Sequence, residues 1–95
     1  MIYARVSLDG EAFLIKIDEQ RGEADGTITY YPLAFLHESS GLRREDMTTE
    51  YRDPEAVLAD YGFAEDLVDF YRRLYGRTPA DPIIRDLPVP DGESR

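Results

Sequence analysis

The stretch that decides the fold runs from Ile2 to Ile17 and reads IYARVSLDGEAFLIKI. Apolar residues occupy every second position on both sides of Asp9-Gly10, which is the period of a half-buried strand. Aspartate and glycine both tolerate positive φ, so this dipeptide suits a two-residue type I′ hairpin turn. The pattern predicts two antiparallel strands joined by a tight turn.

The register of this hairpin follows from the position of its turn. One face then pairs Leu8 with Glu11, Val6 with Phe13, Ala4 with Ile15 and Ile2 with Ile17; the other pairs Arg5 with Leu14 and Tyr3 with Lys16. A slip of one residue would move the second strand's apolar residues to the opposite face of the sheet. The turn and the alternation therefore predict the same register, with one apolar face.

Residues 63–76 predict the helix that covers this apolar face. Their apolar side chains recur at i, i+4, i+7, i+8 and i+11, which is one stripe of an α-helix: Phe63, Leu67, Phe70, Tyr71 and Leu74. Acids in the early turns and arginines in the last turn suit the helix dipole. Gly76 can adopt the left-handed conformation that ends a helix.

The segment between hairpin and helix is harder to assign. Residues 27–31 are β-branched and aromatic, so they predict a third strand antiparallel to the second. Residues 32–41 fit either a short helix with proline at its first position or a continuation of that strand at a sheet edge, and we favour the helix. Residues 41–52 fit a loop or a short fourth strand.

Together these elements predict a single α+β domain. We expect a three-stranded antiparallel meander at the N-terminus, with a fourth strand as an alternative, covered on one face by C-terminal helices. Residues 53–76 form either a helix–corner–helix unit, with Asp53 as N-cap, or one kinked helix. We assign the domain to residues 1–78 and expect a Pro-rich tail at 79–95 that is extended and partly disordered.

The composition of the chain indicates where the protein is located and which partners it can bind. The chain of 95 residues has no Cys, which excludes disulfides and thiolate metal sites. It has no apolar run of about 20 residues and no leader pattern, so we expect a cytoplasmic protein that does not bind membranes. Its net charge is −9, with 16 acids and 6 bases up to Tyr71. Such an acidic body disfavours direct nucleic-acid binding and suits a basic protein partner.

Candidate catalytic groups are few. His37 is the only histidine, and Ser39 and Ser40 follow it closely. A nucleophile and its base need a defined geometry, with a third group that orients the base. Neighbours in one short segment rarely meet that requirement. We therefore expect His37 to be a surface or half-buried residue at a helix end, and the protein not to be an enzyme.

Metal and cofactor sites are not expected either. Glu65, Asp66 and Asp69 crowd one helix, but Arg72 and Arg73 can pair with Asp69 along it. The acidic loop at residues 18–25 fails the spacing of a calcium-binding loop. A solvated charged surface explains both groups.

The residues most suited to binding a partner gather at the end of the predicted helix and in the tail. Exposed tyrosine beside arginine is typical of protein interfaces, although a tyrosine can also cap a core with its hydroxyl in water. The apolar part of the tail can add a strand to another chain or fold back on its own domain, and we favour the second. The predicted protein-binding residues are Arg72, Arg73, Tyr75, Arg77, Ile83 and Ile84.

These observations leave three functions open. The first, which we favour, is a small acidic protein-binding module without catalytic activity, such as an inhibitor, an immunity-type protein or an accessory subunit, with a homodimer as one form. The second is an acidic nucleic-acid mimic that blocks a basic groove. The third is a small metal-binding or catalytic protein that uses His37 or the helix carboxylates.

Overall fold

The computed structural model describes residues 2–17, 20–21, 29–44, 50–51 and 54–89. In this part of the chain an antiparallel sheet is covered on one face by two helices, which confirms the predicted α+β architecture. The strands are β1 (Ile2–Leu8), β2 (Glu11–Ile17), β3 (Gln20–Arg21), β4 (Thr29–His37), β5 (Arg43–Arg44), β6 (Glu50–Tyr51) and β7 (Ile84–Leu87). The helices are α1 (Pro54–Ala59) and α2 (Ala64–Tyr75).

The β1–β2 hairpin has the predicted turn and register. Asp9 has φ 53° and Gly10 has φ 78°, the positive values that a type I′ turn requires at both central positions. Val6 pairs with Phe13, and the remaining pairs follow the predicted order. The sheet order is β3-β4-β2-β1-β7, with β5 and β6 also paired to β4, so it holds more strands than the predicted three or four.

The helix predicted over residues 32–41 is wrong, because β4 continues to His37. Leu33, Phe35 and His37 are buried and alternate with half-buried residues, a period of two that suits a strand. Pro32 lies one residue beyond the last β2–β4 pair, Ile17 with Leu33. Its missing N–H therefore removes no hydrogen bond from that ladder.

The tail contributes a strand to the sheet. β7 runs antiparallel to β1, with Leu8 opposite Ile84 and Arg5 opposite Leu87. The tail thus folds back on the domain that we assigned to residues 1–78, as favoured from the sequence. Residues 90–95, where we expected disorder, lie outside the described residues.

The two helices form a helix–corner–helix unit. Tyr61 adopts a positive φ of 52° between them, and the Gly62 N–H donates to the Val57 carbonyl at 2.8 Å. The predicted N-cap, Asp53, lies outside the described residues. Gly76 ends α2 in the left-handed conformation, φ 68°, as predicted.

Of the helices described here, neither has the length and apolar character needed to cross a membrane.

The core lies between α2 and the face of the sheet that carries the predicted apolar residues. The Phe70 ring stacks on Phe35, with centroids 5.9 Å apart, and meets Phe13 edge-on at 6.0 Å. The buried apolar residues are Val6, Leu8, Phe13, Ile15, Ile17, Leu33, Phe35, Phe63, Leu67, Phe70 and Tyr71. The apolar stripe of α2 therefore serves mainly to pack the helix on the sheet.

Leu67→Ala should lower the free energy of unfolding by about 2–5 kcal/mol, because Leu67 is fully buried and the truncation leaves a cavity. Urea denaturation followed by circular dichroism measures this change. The control, Arg72→Ala on the exposed side of the same helix, should stay within about 0.5 kcal/mol of wild type. Equal effects of the two substitutions would contradict the packing of α2 on the sheet.

Candidate functional site

Polar side chains meet at the end of the sheet nearest the C-terminus of α2. We call this set the His37 cluster, and its members are Glu11, His37, Ser39, Ser40 and Tyr75. Glu11 opens β2 directly after the hairpin turn, His37 closes β4, and Tyr75 is the last residue of α2. The antiparallel pairing of β2 with β4 brings the start of one strand beside the end of the other.

Both ring nitrogens of His37 have partners, and the residue is only 3% exposed. Nδ1 lies 2.6 Å from Ser40 Oγ, and Nε2 lies 2.8 Å from Glu11 Oε1. Two aromatic rings also contact the imidazole, Phe13 at 5.1 Å and Tyr75 at 5.8 Å between centroids. Two hydrogen bonds and two aromatic neighbours therefore hold the imidazole in one orientation.

The charge of Glu11 fixes the tautomer of His37. The hydrogen bond with His37 is the main cause that lowers the pKa of the Glu11 carboxyl, followed by the bond from Tyr75. An ionised carboxylate only accepts hydrogen bonds, so the neutral imidazole carries its proton on Nε2 and accepts from Ser40 at Nδ1. The Tyr75 hydroxyl donates to the same Glu11 oxygen at 2.8 Å, which raises the pKa of the Tyr75 phenol.

This arrangement combines a hydroxyl, an imidazole base and a carboxylate that orients the base. Contrary to the expectation from sequence, His37 lies at the end of a strand and is within hydrogen-bond distance of Ser40. The reason is a tight turn after β4, in which the Gly41 N–H donates to the His37 carbonyl at 2.8 Å. The cluster can polarise the Ser40 hydroxyl.

A second group of hydrogen bonds, the Asp9 cluster, surrounds the hairpin turn. The Asp9 carboxylate accepts from the Tyr71 hydroxyl at 2.5 Å, and Arg77 Nη1 lies 3.4 Å away. It also accepts from the backbone N–H groups of Ala80 and Asp81, both at 3.3 Å. The bond from Tyr71 is the main cause that lowers the pKa of Asp9, and it raises the pKa of Tyr71. One carboxylate thus joins the turn, α2 and the segment that precedes β7.

The two clusters are continuous through aromatic side chains. The Tyr71 and Tyr75 rings lie 4.7 Å apart between centroids. The Arg77 guanidinium lies 5.4 Å from the Tyr71 centroid and 5.5 Å from that of Tyr75, within the range of a cation–π interaction. This end of the domain is therefore one connected polar network.

The side of the sheet opposite the helices, which we call the open face, is built from alternate strand residues. One row across the strands consists of Leu87, Arg5, Leu14, Leu36 and Arg43, and a second consists of Tyr3, Lys16 and Ala34. They surround a shallow depression of about 290 Å³, lined by Tyr3, Leu14, Lys16, Ala34, Phe35, Leu36 and Arg43. The depression has an aliphatic floor and basic side chains at its border.

Wherever the structure describes strand side chains on the open face, the charged ones are basic. They are Arg5, Lys16, Arg43 and Arg85. Arg5 forms a two-bond pair with Glu38 of the adjoining turn, at 2.8 and 3.0 Å, and Arg85 lies 3.2 Å from Asp81. Two of these four bases are thus paired with carboxylates of the chain itself.

The predicted binding residues of α2 and its C-terminal end occupy two environments. Tyr75 and Arg77 are members of the polar network just described, so their polar groups already have partners within the chain. Arg72 and Arg73 are exposed on α2, where Arg73 Nε lies 3.3 Å from Asp69. Their role in binding a partner stays a prediction.

The two predicted binding residues of the tail also differ. Ile84 lies in β7 and packs against the core. Ile83 precedes the strand and is 57% exposed. The fold thus accounts for Ile84 as a residue that packs on the core. The role of Ile83 in binding a partner stays a prediction.

One of the helix carboxylates that raised the question of a metal, Asp69, takes part in two ion pairs. Asp69 Oδ2 lies 2.9 Å from Arg44 Nη1 and 3.3 Å from Arg73 Nε. Among the residues that the structure describes, no group of three or more His, Asp or Glu side chains is arranged to hold a metal ion.

Sequence reasoning missed Glu11 and the basic open face. The predicted register contained part of both, since it placed Glu11 on the apolar face and Arg5 and Lys16 on the other. It did not reveal that the end of β4 lies beside Glu11, because residues 32–41 were assigned to a helix. The partners of His37 could be identified only once the path of β4 was known.

No protein-family model matches the chain, and no significant match was found among curated proteins or among solved structures. Function is therefore inferred from the geometry of the His37 cluster, the Asp9 cluster and the open face.

Asp9→Asn should lower the melting temperature at neutral pH, because it keeps a residue that tolerates positive φ but removes a charged acceptor. The folded-state pKa of Asp9 is depressed, so its contribution is present above the unfolded-state value and is lost as pH falls through the folded-state value. The difference between wild type and variant should therefore be largest above about pH 5 and shrink below about pH 4. Thermal melts from pH 2 to pH 7 measure it. A constant difference would contradict the Asp9 cluster.

Proposed function

We propose that this chain is a small cytoplasmic protein-binding module whose open face binds an acidic segment of a partner protein that carries aliphatic side chains. The observation that supports this most directly is the combination of an aliphatic floor with basic side chains in one shallow depression. Catalysis plays no part in this role.

The aliphatic floor supplies the apolar part of the interaction. Leu14 and Leu36 are directly opposite each other on β2 and β4, and both side chains are half-buried. Ala34 lies beside them on β4 and leaves space above the sheet. An aliphatic side chain placed here would remove apolar surface from water, at about 25 cal/mol for each Å².

The basic side chains supply the charge complement. Lys16 and Arg43 border the depression on the strands at either side of β4. Arg5 already binds a carboxylate on this face, that of Glu38, through two hydrogen bonds. This pair illustrates within the molecule how a partner's carboxylate can be held. Such complementarity contributes to specificity and to the rate of association.

The charge of the open face also bears on the other functions considered. The acidic composition suggested a basic partner, whereas the local charge of this face favours an acidic one.

A nucleic-acid mimic needs carboxylates along one continuous surface. The described strand charges of the open face have the opposite sign, and on α2 arginines follow the acids within one helix. Neither the open face nor α2 therefore supports a nucleic-acid mimic.

A peptide of alternating leucine and glutamate should bind to the open face, since it offers both chemistries. In a ¹H–¹⁵N NMR titration, the backbone amides of Leu14, Lys16 and Leu36 should shift. The double variant Lys16→Glu/Arg43→Glu should bind about thirtyfold more weakly, because two reversals of surface charge at about 1 kcal/mol each cost about 2 kcal/mol. The matched control Arg73→Glu, with the same charge change on α2, should bind within about twofold of wild type.

Several outcomes would contradict this proposal. A peptide of alternating leucine and lysine that binds as well as the acidic one would remove the charge argument. Amide shifts confined to α2 would place the interaction elsewhere. Binding of a single-stranded oligonucleotide at the same amides, without binding of the acidic peptide, would indicate a nucleic-acid partner instead.

A further inference from the structure

We propose that Ser40 is a nucleophile activated by His37, and that it takes the acyl group of small, unhindered carboxylic esters. This activity goes beyond the proposed binding function and is independent of it, since it uses the His37 cluster and not the open face. It also differs from the expectation, drawn from sequence, that the protein is not an enzyme.

The base is held ready to accept the serine proton. Nδ1 of His37 lies 2.6 Å from Ser40 Oγ, which is the distance of a direct O–H to N hydrogen bond. On the opposite side of the ring, Nε2 donates to the ionised Glu11 carboxylate at 2.8 Å. Because Glu11 fixes the tautomer, the unprotonated nitrogen is the one that faces the hydroxyl.

The nucleophile is accessible, whereas the base is not. Ser40 is exposed on the turn after β4, and His37 is 3% exposed. The turn is held by the Gly41 N–H, which donates to the His37 carbonyl at 2.8 Å, and by the Leu42 N–H, which donates to Ser40 Oγ at 3.1 Å. Because the turn is exposed, an ester reaches Ser40 directly from solvent, and it needs only an unhindered carbonyl carbon for attack.

The reaction balances without any further group. Ser40 Oγ attacks the ester carbonyl carbon while its proton passes to His37 Nδ1. The tetrahedral intermediate then collapses, the bond to the alcohol oxygen breaks, and that oxygen takes the proton from Nδ1. Water repeats the sequence on the acyl-serine, releases the carboxylic acid and restores Ser40. Glu11 holds the ring in place and keeps its charge throughout.

An alkyl fluorophosphonate tests the proposal, since attack by serine forms an O–P bond and releases fluoride. Intact-mass spectrometry and peptide mapping should find one adduct per chain, on Ser40. The rate should exceed that of the same chain unfolded in urea by at least about tenfold, because unfolding separates Ser40 from its base. Ser40→Ala should abolish labelling. The matched control Ser7→Ala should label within about twofold of wild type, since Ser7 lies on β1, outside the His37 cluster.

The following results of the same experiment would contradict the proposal. Labelling of the folded chain no faster than the unfolded one would show that the bond between Ser40 and His37 only stabilises the turn. Labelling that persists in Ser40→Ala, or that maps to Ser39, would assign the reactivity to another group. A circular dichroism spectrum of each variant confirms that lost labelling does not reflect unfolding.

Discussion

The register set by the Asp9-Gly10 turn is the constraint on which the rest of this structure depends. Side chains alternate between the faces of a strand, so a turn that fixes the register also fixes which residues can form a core. Here it places Val6 opposite Phe13 on the face that α2 covers. The Asp9 carboxylate adds a second constraint, because it joins the turn to Tyr71 and to the segment before β7.

Because the register separates the residues so completely, the two faces of the sheet differ in role. The face towards α2 is packed with aliphatic and aromatic side chains, and its only buried polar residue in the described chain is His37. The burial of His37 is compatible with stability because both nitrogens have partners, Ser40 and Glu11. The open face carries Lys16 and other bases beside aliphatic residues. The His37 cluster and the depression are therefore separate regions of the sheet.

The sequence predicts the elements whose local and global preferences agree. The hairpin has turn residues and alternation that indicate one register, and α2 has both an apolar stripe and a glycine at its end. Residues 32–41 were misassigned because Pro32 suits the start of a helix locally, while pairing with β2 decides the outcome. The contact of Glu11 with His37 depends on that distant pairing, so no pattern within either segment could reveal it. The strand β7 likewise depends on an available sheet edge.

One face of the sheet is filled by the chain's own helices, whereas Leu14 and Leu36 on the other face are only half-buried. Paramagnetic relaxation of methyl groups by a neutral, soluble gadolinium chelate measures this most directly. The methyl groups of Leu14 and Leu36 should relax strongly with added chelate, and those of Ile15 and Leu67 should relax weakly, because the first pair is half-buried and the second fully buried. Equal protection of all four residues would show that the open face is covered and would contradict this account.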